Sequence, residues 1–201
     1  MSFLENLKKR RSIYTLGKNI DGEKAIEVIK EAVRQSPTAF NSQSARLLFI
    51  TESAQEKLWG EIAARDLKAE MDRQGVPESA FEKTGKRLNS FKAAYGTVLF
   101  FEDQEVIKSL QEKFPLYAEN FPAWSEQGSG IVTVNAWTAL AEEGIGANLQ
   151  HYNPVIDHSV AKEWTIPDHW KLRSQLVFGS IEAEAGEKEF MDDDKRFRIA
   201  K

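Results

Sequence analysis

The chain has 201 residues, 41% hydrophobic and 29% charged, with 27 basic side chains against 31 acidic ones for a net charge of −4. That composition suits one soluble globular domain spanning 1–201 and argues against disorder and against a broadly basic, nucleic-acid-binding surface. The absence of cysteine removes disulfides, thiolate metal sites and cysteine nucleophiles, no apolar run approaches the roughly 20 residues of a membrane helix, and the charged stretch 1–11 makes no signal-peptide core, so a cytoplasmic setting is expected.

Phe3, Leu4 and Leu7 predict a short helix leading into Arg10. Asp21 is a suitable N-cap for an amphipathic helix with Ala25, Ile26, Ile29, Ala32 and Val33 at helical spacing, stopping before Pro37. Residues 47–51 read as a buried strand. Residues 54–74 read as a helix with Leu58, Ile62 and Leu67 on one face, and 79–93 as another beyond the break at Gly75-Val76-Pro77. A second buried strand is expected at 97–101, ended by Glu102-Asp103, then a helix near 104–113. The aromatic stretch 114–129, with Pro115, Pro122, Tyr117, Phe121 and Trp124, is expected to be an irregular excursion that either walls a pocket or packs on the body. The most apolar helix, 131–143, has little polar face and belongs in the centre or in a subunit interface, Trp137 with it. Gly144-Ile145-Gly146 ends it. A short extended segment (149–153), a small helix (about 157–164), a third strand (172–182) and a polar tail complete the chain. Helices outnumber strands without strict alternation, which favours α+β.

Several chemistries are disfavoured. Gly144-Ile145-Gly146 follows a helix and position 149 is Leu, so no dinucleotide fingerprint exists; there is no P-loop, and Gly128-Ser129-Gly130 lacks nucleophile-elbow spacing. His151 and His158 match no zinc spacing, and Asp192-Asp193-Asp194 reads as a solvated acidic turn, so no metal site is expected.

Three segments carry the remaining signal. Arg10-Arg11-Ser12 offers two guanidinium groups and a hydroxyl suited to a phosphate, or is simply a basic helix end. In 36–43, Asn41 and Gln43 supply amides that can read a heterocycle's edge, or serve as turn residues. Lys195-Arg196-Phe197-Arg198 is a second phosphate-binding candidate or a solvated tail. Basic groups at both ends of an acidic chain suggest one anionic cofactor with a hydrogen-bonding ring.

In this order and spacing, these residues resemble the nitroreductase family of FMN enzymes, and the likeness covers nearly the whole chain. The resemblance implies an α+β fold with a central, mainly antiparallel sheet flanked by helices, in an intertwined homodimer. It implies that Arg10, Arg11, Ser12 and Tyr14 meet the phosphate and ring edge of FMN, while Pro37, Thr38, Asn41 and Gln43 cover the ring from the partner chain. Leu149, Gln150 and His151 would lie against the flavin's reactive edge through their backbone N–H groups. Lys86 and Asn89 would reach the ribityl chain and N1–O2 edge, or form a surface helix face. Lys195, Arg196 and Arg198 would reach the phosphate. Tyr14 stands where many members carry Lys or Arg, and Ser44 where many carry Pro; both look typical of a compact branch with links to fatty-acid regulation and stress response. The implied activity is ping-pong reduction of a small aromatic acceptor, a nitroaromatic or quinone, at the expense of NADH or NADPH. No side chain is singled out as a catalytic acid or base. A flavin-binding regulatory or stress-response protein with incidental reductase activity is the alternative, and a ligand-free interaction domain a weaker third.

Overall fold

The two longest strands pair at the centre of the sheet. In the computed structural model, which describes residues 2–201, β3 (Gly96–Asp103) is buried along its whole length and lies antiparallel to β5 (Trp170–Ile181). β2 (Ala45–Thr51) flanks β3; β4 (Gly146–Gln150) and β1 (Leu16–Gly17) share the other edge of β5. All four pairings are antiparallel.

Because successive strand residues face opposite ways, β3 and β5 feed two cores. Leu99, Phe101, Leu172 and Val177 join Leu58, Trp59, Ile62, Phe91 and Val160 on one face. Val98, Phe100, Leu176 and Phe178 join Ile29, Val132, Ala136 and Leu140 on the other. The first layer comprises α3 (Glu52–Glu56), a π-helical stretch (Lys57–Ile62), α4 (Ala63–Arg73), α5 (Glu78–Lys92) and α8 (Asp157–Trp164). Trp59 is wholly buried there, its Nε1 donating to Thr97 Oγ1 at 2.8 Å. The second layer is α2 (Gly22–Arg34), whose first turn is capped by Asp21 as expected, and α7 (Phe121–Glu142). α1 (Phe3–Lys9) precedes them, opened by a Ser2–Glu5 capping box.

The structure corrects the reading of 114–129. Only 115–117 form a 3₁₀ turn, after α6 (Gln104–Lys113); the helix begins at Phe121, ten residues before the expected start. Pro122 sits in the first turn, where a missing N–H and a fixed φ are harmless. Gly128 and Gly130 are carried inside the helix. The aromatic residues pack on one another: Phe40 lies 4.9 Å from Phe114, 5.2 Å from Phe121 and 6.0 Å from Trp124 between ring centroids. Three smaller differences have physical causes. β3 continues through Glu102 and Asp103 because Glu102 finds hydroxyl partners inside the protein. β4 begins directly at Gly146, while Gly144 takes the left-handed turn (φ 75°) after the helix. β1 and α9 (Asp193–Arg196) are too short to show a sequence period.

Candidate active site

The first functional segment is held by a strand. α1 ends at Arg10, whose backbone is extended, and residues 12–13 run beside β4. Ile13 N–H donates to the Ala147 carbonyl at 2.9 Å, and the buried Asn148 amide donates to the Ile13 carbonyl at 2.7 Å. Gly146 permits this approach, since a Cβ there would lie 2.7 Å from Leu16 and 2.8 Å from Ile181 side-chain atoms.

This seating turns Arg10 and Ser12 toward a cavity of about 780 Å³. Leu149, His151 and Asn153 line it from β4 and the turn beyond; Glu126, Ser129, Gly130, Thr133, Val134 and Trp137 from α7; and Arg173 and Ser174 from β5. Arg10 stacks its guanidinium 4.4 Å from the centroid of Trp137. Burial, and secondarily the neighbouring Arg11, hold Arg10 below its ordinary pKa, yet a guanidinium stays charged at any physiological pH. Arg11 and Tyr14 line an adjoining recess of about 440 Å³ with residues 183–188, where Arg11 donates to the Gly186 carbonyl at 2.7 Å. Gln150 turns its side chain to Asn148 Oδ1 at 2.7 Å.

The other expected residues lie elsewhere in the chain. Pro37 and Thr38 line a recess of about 400 Å³ with Phe40, Trp124, Gln127, Gly128 and Ile131. The larger cavity takes 126, 129, 130, 133, 134 and 137 of α7, whereas this recess takes 124, 127, 128 and 131, so the two use different faces of one helix. The loop is shaped by left-handed backbone at Phe40, Asn41 and Gln43 (φ 56°, 52° and 48°), with Gln43 N–H donating to Thr38 Oγ1 at 3.1 Å. Asn41 and Gln43 are exposed. Lys86 and Asn89 lie exposed on α5 and line neither the large cavity nor these two recesses. Lys195, Arg196 and Arg198 are exposed; Lys195 pairs with Asp192 at 3.1 Å.

Arg173 and Glu126 escaped the sequence reading. Arg173 Nη2 pairs with Glu126 Oε1 across the cavity wall, and Arg173 Nε is buried without a partner. The available signal was a cation set between Leu172 and the buried Ser174, just ahead of the apolar run Leu176–Phe178. Nearby, the buried Glu102 accepts from Ser44 at 2.9 Å and from Ser125, and burial pushes its pKa up. Asp103, Glu105 and His169 come close enough to share a cation, but Asp103 is already paired with Arg46 at 2.9 Å.

Comparison with known proteins bears on this arrangement. The model of the nitroreductase family matches residues 7–180. CinD, a nitroreductase from Lactococcus lactis, is 64% identical, with a TM-score of 0.91 over 100% of both chains, and has been solved with chloramphenicol, with nicotinic acid and with 4-nitrophenol. HBN1 of Saccharomyces cerevisiae is 35% identical over 197 residues, covering 96% of this chain and 95% of its own length. A chain of the same fold from Desulfovibrio desulfuricans, solved with FMN, is 17% identical with a TM-score of 0.70 over 98% of this chain and 96% of its own. The phosphate-suited N-terminal segment, the antiparallel sheet that seats it and the full-length likeness to CinD all agree: the chain belongs to the nitroreductase family.

Proposed function

We propose that this protein is a single-domain, homodimeric, FMN-dependent oxidoreductase that uses NADH or NADPH to reduce small aromatic acceptors, nitroaromatics or quinones. The observation that carries this reading is Arg10: a half-buried cation, stacked on Trp137 at the wall of the large cavity. Among the described residues no carboxylate pairs with it. A partly desolvated cation without a counter-charge is unfavourable, and a phosphate in the cavity relieves it. The residues present therefore fit FMN. Arg10 and Ser12 would hold the phosphate, with Arg11 adjacent. The backbone from Leu149, near the end of β4, to His151 just beyond it would offer N–H groups to the ring's polar edge. FMN, when bound, would supply the redox chemistry, hydride uptake from a nicotinamide and two-electron reduction of an electron-poor ring.

This chain's own contribution is binding, orientation and exclusion of water. Leu149, Val134 and Trp137 give the cavity apolar wall, and Arg10 fixes one end of the cofactor electrostatically. The exposed loop with Asn41 and Gln43, and the exposed Lys195, Arg196 and Arg198, are assigned to the site of the partner copy. The tail supports that assignment: Phe190, Met191, Phe197 and Ile199 are all at least 60% exposed and cover nothing in their own protomer. No part within one protomer is given to Lys86 and Asn89. The acceptor class draws support from CinD, whose ligands include two nitroaromatics and a pyridine carboxylate.

The test is the visible spectrum of the purified protein before and after anaerobic NADH or NADPH. A flavin spectrum that bleaches, and recovers on adding a nitroaromatic, is the expected result. A flavin that does not bleach moves the protein to a flavin-binding regulatory role. Failure to take up added FMN removes the cofactor and the activity together.

A further inference from the structure

Arg173 stands on β5 beneath α7, with its side chain only 15% exposed and its guanidinium lining the large cavity. The Nε and Nη2 atoms of a guanidinium form one edge, a fork that matches two oxygens of a planar group. Half of that fork is filled: Nη2 donates to Glu126, while the buried Nε has no acceptor. Open buried donors are rare and unfavourable, and a carbonyl, water or second carboxylate oxygen normally closes them. Glu126 cannot close this one with the oxygen already engaged. Its side chain is 51% exposed, so it can return to water without being stranded.

The surrounding charges favour an anion. Arg10, Arg173 and Glu126 are the cavity's charged lining residues, and withdrawal of Glu126 leaves two cations facing the space. Glu102, Asp157 and Lys171 also lie within electrostatic reach of this region. Glu102 is engaged by Ser44 and Ser125. The Asp157 carboxyl, like that of Glu102, is raised by burial, which disfavours its charged form.

We propose that Arg173 is a specificity-determining residue, selecting aromatic acceptors that bear a carboxylate. The carboxylate takes Nε and Nη2 together and displaces Glu126, a placeholder when no such ligand is present. This rests on the oxidoreductase reading of the cavity and narrows its acceptor class from flat aromatics in general to benzoate-like ones.

The experiment is calorimetric titration of benzoate and of uncharged benzamide, neither of them reducible here, into the protein with and without FMN. It is paired with kcat/KM for 4-nitrobenzoate against its methyl ester. Arg173→Gln is expected to weaken benzoate about tenfold or more while benzamide changes by no more than about twofold. Arg173→Lys, which keeps the charge and loses the fork, should recover only part of the loss. Glu126→Gln should tighten benzoate, because a neutral amide competes less well for the guanidinium. Equal affinity of the parent and Arg173→Gln for benzoate, parallel loss of benzamide, or no benzoate binding to the parent would overturn the proposal. So would weakened FMN uptake with benzoate binding intact, which would give the guanidinium to the cofactor. Should Arg173→Gln fail to fold, Glu126→Gln decides, and benzoate affinity that does not rise overturns it. A protein that takes up no flavin sinks the oxidoreductase reading, and acceptor selection with it; the benzoate titration then still judges whether Arg173 binds carboxylates.

Discussion

The two ends of the chain carry the same chemistry and are held in opposite ways. At the N-terminus, Arg10 precedes a segment tied to β4 by the Ile13–Ala147 and Asn148–Ile13 hydrogen bonds and lies over Trp137. At the C-terminus, Lys195, Arg196 and Arg198 belong to a stretch exposed at every position from Gly186 onward. Guanidinium groups are common to both. What differs is the scaffold: a strand fixes one cluster to a cavity, and among the described residues no strand or helix of the body covers the other. A basic cluster becomes a site only when its backbone is over-determined, and on the proposed reading the tail gains that support from a second copy.

The seating at the N-terminus is the easiest half of this contrast to break. A Cβ at position 179 would lie 2.2 Å from the Gly17 carbonyl oxygen and 3.0 Å from the Tyr95 nitrogen, both backbone atoms that cannot swing aside. Gly179→Ala should therefore force β1 off β5 and destabilise the fold by about 3 kcal/mol, read by chemical denaturation. A parent-like midpoint would mean that β1 is not packed as described.

Next come the two clusters themselves. Arg10→Ala should weaken FMN by about 1.5–3 kcal/mol in a fluorescence titration, as expected for charged hydrogen bonds to phosphate. Arg198→Ala sharpens the comparison. A similar loss would make the tail part of the same phosphate site, whereas unchanged affinity would leave it a solvated end. Truncation after Gly186 should leave the far-UV circular dichroism unchanged, because the removed residues are exposed. If the proposed homodimer is held together by the tail, the truncation should also slow sedimentation toward that of a single chain; an unchanged sedimentation coefficient would separate the tail from assembly.

The smallest effect concerns Glu102, buried beside the Arg173–Glu126 pair and outside both clusters. Burial raises its pKa above the ordinary 4.5, so the folded protein keeps that proton to higher pH than the unfolded chain does. The associated stability is fully present below pH 4.5, declines as pH rises through the folded value, and stays lost above it. Glu102→Gln should thus gain on the parent as pH is raised from 4.5 toward 8. A gap between the two melting curves that ignores pH would remove the titration.

Much of this architecture was legible from periodicity. The Asp21-capped helix, the small helix beginning at Asp157 and the three principal strands carry strong local patterns, and local pattern decided them. The region 114–129 was not, because Pro122 and two glycines resemble loop chemistry unless Pro122 is known to occupy the first turn. Arg10 and Ser12 were legible as chemistry, whereas their docking depends on Asn148, over a hundred residues away, to which no local period points. Arg173 was hidden for the converse reason: a cation near the start of a strand, two residues after Lys171, reads as a solvated end, and only the packing of α7 over β5 encloses it.

The position of β5 has a consequence for how the protein comes into being. β5 is the last strand to be made, yet β1, β3 and β4 all pair with it. On a ribosome the β2–β3 hairpin can close early, but the roughly 80 residues from Asp103 to Ile181 take several seconds at roughly 5–20 residues per second. During that interval α7, finished at Glu142 and largely apolar in its second half, leaves the ribosome before the strand β5 that will help cover it. Synthesis of this protein therefore passes through a window in which its stickiest helix is bare, and nascent chains stalled between Glu142 and Ile181 are the species that chaperones would be expected to hold.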